Sequence, residues 1–208
     1  MSIETFLTNL AKTKTPPHVF NPYDHENTEN NMRRTNLTYY LQTLRTKQPS
    51  TLLVGEAPGY RGCRLTGIPF TSPNLLQSDM ASQQLFGENQ GYLTPNEWPH
   101  IQREASATIV WQLLNTLPNL PLLWNAFPFH PHKPGNRQSN RPPKRSELAL
   151  GRPFLTQLLH LFPITDIIAV GNKADTALTM WQIPHEKVRH PSHGGKQQFV
   201  NGIIQLLK

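Results

Sequence analysis

The sequence predicts a three-layer α/β/α sandwich built on a central, mostly parallel four-stranded sheet. Three observations lead there. Short apolar runs such as Ser50–Val54 and Asp166–Val170 stop abruptly at a glycine, the pattern of strands buried on both faces. The stretches between them carry apolar residues at helical spacing. Strand and helix signals then alternate along the chain, which yields a parallel sheet covered by helices. A chain of 208 residues is long enough for one well-filled core, so a single domain spanning 1–208 is expected, with an N-terminal helical extension (1–49) and a core (50–208).

Taken in order, residues 1–50 read as two helical pieces separated by a Pro- and Asn-rich stretch at 16–31, the second with Leu37, Tyr40, Leu41 and Leu44 on one face. Ser50–Val54 is the first strand, closed by Gly55, and residues 60–100 are mostly loop. Glu104–Leu117 places Ile109, Val110, Leu113, Leu114 and Leu117 together as a helix, and Leu120–Phe127 is the second strand. After a basic loop at 128–145, Ser146 is positioned to cap a helix reaching Phe162, with Pro153 expected to kink or delay it. Asp166–Val170 is the third strand, and Asn172 is placed to cap the helix that presents Ala174, Ala177, Leu178 and Trp181. Lys187–Arg189 makes a short fourth strand, and a helix from about Gly195 follows.

Composition narrows the function. No apolar run approaches the roughly 18 residues of a membrane-spanning helix, and the first residues lack the layout of a signal peptide. The single cysteine, Cys63, leaves no internal disulfide and no four-cysteine zinc or iron–sulfur site. A cytoplasmic protein without metal or other cofactor is expected. Twenty basic against thirteen acidic residues give a net charge of +7, and the excess is clustered: His130–Arg152 alone carries +5, and Lys187, Arg189, Lys196 and Lys208 extend it. Clustered positive charge is the footprint of a phosphate-backbone binder, although a solvated basic surface has the same composition.

Ligands in open α/β sheets gather beyond the carboxyl ends of the strands. Those ends carry Gly55-Glu-Ala-Pro-Gly59, Trp124-Asn-Ala-Phe-Pro-Phe-His130 and His190-Pro-Ser-His-Gly-Gly195. Glu56 suits a general base or charge stabiliser, Asn125 offers a paired donor and acceptor for a nucleobase edge, and His190 a tunable hydrogen bond to a developing anion. The first loop is no phosphate loop, since no Gly-Lys-Ser/Thr follows, and Pro58 is incompatible with a dinucleotide fingerprint. His130-Pro-His132 has the spacing of a metal pair but no evident third ligand.

In this order the loops resemble the uracil-DNA glycosylase superfamily, nearest to its family four. Gly55-Glu-Ala-Pro-Gly59 is similar to that family's water-handling motif, Gly67-Ile-Pro-Phe70 to its Gly-x-Pro-Phe element, and Asn136–Pro143 to its Arg-, Asn- and Pro-rich loop. Ile167–Gly171 with Ala174 resembles its third strand and helix start, and His190-Pro-Ser192 its second catalytic motif. The likeness spans about residues 50–207. Three positions depart from the family pattern: one cysteine stands in place of four, Tyr60 and Arg61 replace acidic residues, and His193-Gly194-Gly195 stands where a bulky wedge is expected.

The resemblance implies a monofunctional DNA glycosylase that hydrolyses the N-glycosidic bond of uracil, or a related deaminated base, and begins base excision repair. It implies catalytic roles for Glu56 and His190, base binding by Phe70, Asn125 and Ala57, and DNA contacts from Arg137, Arg141, Lys144, Arg145, Ser192, His193, Gly194 and Lys196. The expected partner is uracil-containing DNA, met by a monomer that would be nucleoid-associated in a bacterium. Tyr60 is a candidate for limiting the pocket. The competing expectation is a nucleic-acid-binding protein that keeps this fold without turnover.

Overall fold

A computed structural model describes residues 1–78, 85–87 and 89–207. The parts of the expected 60–100 loop at 79–84 and 88, and Lys208 of the basic tail, lie outside the described residues. Four strands form the central sheet: β2 (Thr51–Gly55), β3 (Leu122–Asn125), β5 (Asp166–Val170) and β6 (Glu186–Val188). All pair in parallel, in the order β3-β2-β5-β6. Leu52, Leu53 and Val54 of β2 are fully buried, as are Leu122, Leu123 and Trp124 of β3, which explains their continuous apolar runs.

The remaining two strands, β1 (Val19–Phe20) and β4 (His130–Pro131), form a small antiparallel ribbon that the Pro- and Asn-rich composition concealed. The helices are α1 (Ile3–Lys12), α2 (Asn31–Lys47), α3 (Cys63–Thr66), α4 (Pro73–Gln77), α5 (Ala105–Leu114), α6 (Arg145–Leu161), α7 (Asn172–Met180) and α8 (Lys196–Leu206). Helix α1 packs on α2 and α6, while α7 and α8 pack on β5 and β6. The N-terminal helices share the main core: Phe6 meets Trp124 of β3 edge-on at 5.4 Å between ring centroids. The Tyr40 hydroxyl of α2 accepts the Leu123 N–H at 2.8 Å, which satisfies a donor on the outer edge of β3.

Three helix starts differ from the sequence expectation. Helix α6 begins at Arg145, because the Glu147 carboxylate accepts the Lys144 N–H at 2.7 Å and so places the cap at Lys144, two residues ahead of Ser146. It runs through Pro153 without a break. Its buried face, Gly151, Phe154, Leu155 and Leu158, is held by packing such as Phe154 on Phe6 and Phe129, which outweighs the missing N–H. Gly151 rides directly on the Ala126 carbonyl, where a side chain would collide. Helix α7 is preceded by Gly171 at φ +89°, so Asn172 is its first residue and not its cap. Helix α5 starts after Glu104 and ends at Leu114, short of Leu117.

This topology fixes where the site lies. The chain leaves β2 toward β3 on one side and leaves β5 toward β6 on the other, so a crevice opens at the carboxyl ends of β2 and β5.

Candidate active site

A cleft of about 440 Å³ occupies that crevice. The loop after β2 supplies Gly55, Glu56, Ala57, Pro58 and Gly59, the end of β3 supplies Asn125, and the loop after β6 supplies His190, Ser192 and His193. Phe70, Glu104, Asn140 and Arg141 complete much of the wall. A larger cavity of about 660 Å³ lies behind Glu56, lined by Leu148, Lys173, Thr176 and Met180, but it shares only Glu56 with the polar groups of the cleft.

Phe70 and Asn125 converge on the Cα of Gly55. A Cβ there would stand 2.6 Å from Phe70 Cζ and 2.7 Å from Asn125 Oδ1, so only glycine permits this approach. Phe70 adopts φ +54°, a conformation that a non-glycine residue holds only under constraint. One constraint is visible: the Trp111 indole N–H donates to the Phe70 carbonyl at 3.0 Å. Asn125 is buried at the end of β3, with its Nδ2 directed at Cys63 Sγ, 4.0 Å away.

His190 has a defined protonation pattern. Its Nδ1 receives the Ser192 N–H at 3.2 Å and lies 2.7 Å from Ser192 Oγ. A backbone N–H can only donate, so Nδ1 is the acceptor and the proton of the neutral ring sits on Nε2. Burial, aided by Arg189 and His193, holds the imidazole below its ordinary value and favours that neutral form. Glycine at 171 lets the ring approach, since a Cβ there would lie 2.8 Å from His190 Cβ. Glu56 Oε1 is buried and without a hydrogen-bond partner among the described residues, and burial raises the pKa of this carboxyl against the opposing pull of Lys173. The cleft therefore holds an aromatic face, a buried amide, a neutral N–H donor and an unsatisfied carboxylate.

The loop carrying Glu56 is anchored from behind. His130 Nδ1 lies 2.7 Å from the Pro58 carbonyl and its Nε2 3.1 Å from the Arg137 carbonyl. Burial lowers its pKa to about 4 against the opposing pull of both carbonyls, and a neutral ring, with one N–H, donates to one of the two. His130 thus acts as a strut.

The family model described as the uracil DNA glycosylase superfamily matches residues 42–206. The chain belongs to that superfamily. Among solved structures, it is similar to SMUG2 from Pedobacter heparinus, with a TM-score of 0.66 and 18% sequence identity over 98% of this chain and 94% of that one. At that identity the likeness speaks for the fold. No curated protein matches the sequence.

Within this superfamily fold, Glu56, Ala57, Phe70, Asn125 and His190 all line one cleft, together with Arg141, Ser192 and His193 of the expected DNA-contacting set. Arg137, Lys144, Arg145, His193, Gly194 and Lys196 are exposed. Arg141 differs from them: its guanidinium makes two 2.7 Å bonds to the buried Glu147 carboxylate and a third to the His132 carbonyl. It fastens the basic loop to α6, and Glu147 is held below its usual range in part by this contact. Tyr60 stands outside the cleft wall, its ring 6.4 Å from that of Trp98 and beneath Arg61.

Sequence reading missed two cleft residues. Asn140 Oδ1 accepts the Tyr60 N–H at 3.0 Å and joins the basic loop to the loop after β2. Glu104, read only as the start of a helix, places its carboxyl against Gly59 and Gly62. Burial raises its pKa to about 7. Glu104 belongs to no local motif, and Asn140 lies in the Asn136–Pro143 loop without being singled out there, so only the folded chain places them in the cleft.

Proposed function

We propose that the protein is a monofunctional DNA glycosylase that hydrolyses the N-glycosidic bond of uracil, or a related deaminated base, leaving an abasic site for base excision repair. The observation that carries this reading is the convergence of Phe70 and Asn125 on Gly55, with Glu56 and His190 in the same cleft. A flat ring stacked on Phe70 would present its Watson–Crick edge to Asn125, whose NH₂ pairs with uracil O4 and whose oxygen pairs with N3–H.

As the glycosidic bond breaks, negative charge gathers on the departing base and positive charge on the sugar. The His190 Nε2–H donates to pyrimidine O2, and such preorganised donors commonly supply the largest catalytic contribution. The unsatisfied Glu56 carboxylate stabilises the cationic sugar or orients the attacking water. Ser192–Lys196, Lys144, Arg145 and Arg137 meet the phosphate backbone around the base pocket.

The direct test is incubation with oligonucleotides carrying one uracil, followed by alkali to cleave abasic sites. The parent should produce the cleaved product. Glu56→Gln should slow single-turnover excision while DNA affinity holds, and His190→Ala should cost about a hundred- to a thousandfold. DNA binding without any product would favour the alternative of a binding protein that has lost turnover.

A further inference from the structure

A glycosylase that removes uracil from DNA must leave thymine in place, and the two bases differ by one methyl group at C5. The discriminating wall must therefore stand where C5 points. With the base held as proposed above, the cleft locates that side. His190 Nε2 marks the O2 end of the base. The Asn125 NH₂, which pairs with O4, is directed toward Cys63. C5 is the next ring atom beyond C4 on the side away from N3, so it faces the wall that continues past Cys63.

The candidates for that wall are Gly59, Cys63 and the Glu104 side chain, all of which line the cleft. The carboxyl of Glu104 is wedged between Gly59 and Gly62, with no room for a Cβ at either glycine. Its two oxygens thus occupy space that two ordinary residues would have filled from the loop. The position is set by secondary structure: Glu104 immediately precedes the first turn of α5. Tyr60, the aromatic closest in sequence, packs toward Trp98 and is not part of this wall.

We propose that Glu104 is the specificity-determining residue of the base pocket, its carboxyl filling the space beside pyrimidine C5 and thereby excluding thymine while admitting uracil. The inference rests on the glycosylase reading and deepens it. Two properties make the carboxyl an effective barrier. The glycines on either side leave no side chain that could swing away to yield space, and the carboxyl itself is held in the slot between them, so it cannot retreat from a methyl without colliding with backbone. A single methyl group is commonly worth about 10- to 200-fold in discrimination.

The experiment measures single-turnover excision of uracil and thymine, each opposite adenine in otherwise identical oligonucleotides, for the parent, Glu104→Gln, Glu104→Asp and Glu104→Ala. Thermal melting of each variant accompanies the assay. The parent and the nearly isosteric Gln variant should excise uracil and leave thymine. Glu104→Ala should raise the thymine-to-uracil ratio at least tenfold, and Glu104→Asp, which retracts the carboxyl by one methylene, should raise it by a smaller factor. If Ala fails to fold, the Asp variant decides alone. A parent that excises uracil and variants that remain blind to thymine would overturn the proposal. So would loss of uracil excision in Gln and Ala alike with the fold intact, since Glu104 would then serve the chemistry and not the wall. A parent inactive on uracil is a different result, because it removes the glycosylase reading itself.

Discussion

Substituting alanine for Gly55 probes the geometry on which the base pocket depends. The added Cβ would stand 2.6 Å from Phe70 Cζ and 2.7 Å from Asn125 Oδ1, whereas ordinary contact begins at 3.4 Å. The ring and the amide must therefore each retreat by about 0.7–0.8 Å, since close-packed interiors offer no slack to absorb the atom. Neither can do so freely. Phe70 is held at φ +54° with its carbonyl bound to Trp111, and Asn125 is buried at the end of β3. Overpacking of this kind costs about 1–3 kcal/mol of stability, which lowers Tm by roughly 2–4 °C per kcal/mol in a domain of this size. The larger effect is on catalysis, because misplacing a reacting group by about 1 Å costs on the order of a hundredfold. Gly55→Ala should stay folded, bind DNA as the parent does, and excise uracil about a hundredfold more slowly in single turnover. Excision at the parent rate would mean that Phe70 and Asn125 do not grip the base from the places they occupy.

Two further outcomes follow from the charges. The Glu104 carboxyl, raised from 4.5 to about 7 by burial, binds its proton more tightly in the folded chain. Its contribution to stability is therefore fully present below about 4.5 and lost as pH rises through about 7, on the order of 3 kcal/mol over that window. Urea denaturation at pH 4.5 and 7.5 should show this loss in the parent and not in Glu104→Gln; equal pH dependence in both would refute it. If about six phosphates are neutralised by the exposed basic residues, DNA affinity should fall about a thousandfold between about 50 and 200 mM salt. Charge reversal at Lys144 and Arg145 should weaken binding to all sequences alike and flatten that salt slope, as read by fluorescence anisotropy. Unchanged binding would place the DNA elsewhere.

What the sequence disclosed depended on how local each signal was. Strand β2 was legible because three consecutive fully buried residues end at Gly55, a pattern that needs no distant partner. The runs carrying Glu56, Asn125 and His190 were legible for the same reason, each being a short run just beyond or at the end of one strand. Glu104 was not, because its meaning comes from Gly59 and Gly62, more than forty positions earlier. Arg141 entered the sequence reading as one charge among six, and only the fold reveals that Glu147 holds it. The N-terminal helices were recognised as helices, but not as supports of the site. Arg33 of α2 and Arg64 both bind Glu97, and the Tyr23 hydroxyl donates to the Gly67 carbonyl at 2.9 Å, which fastens the segment leading to Phe70. Such long-range polar contacts leave no periodic trace.

The most direct measurement of the central claim is base choice in Asn125→Asp. Uracil offers an acceptor at O4 and a donor at N3, which the Asn125 amide matches; cytosine offers an amino donor in place of O4 and sets donor against donor. Aspartate removes the NH₂ and leaves two acceptors, at nearly unchanged volume. Excision is measured on matched oligonucleotides carrying uracil or cytosine at one position. The parent should excise uracil and ignore cytosine, and the variant should lose most uracil excision, with any residual activity shifted toward cytosine. A variant that removes uracil at the parent rate would contradict the claim that this cleft reads the base through Asn125.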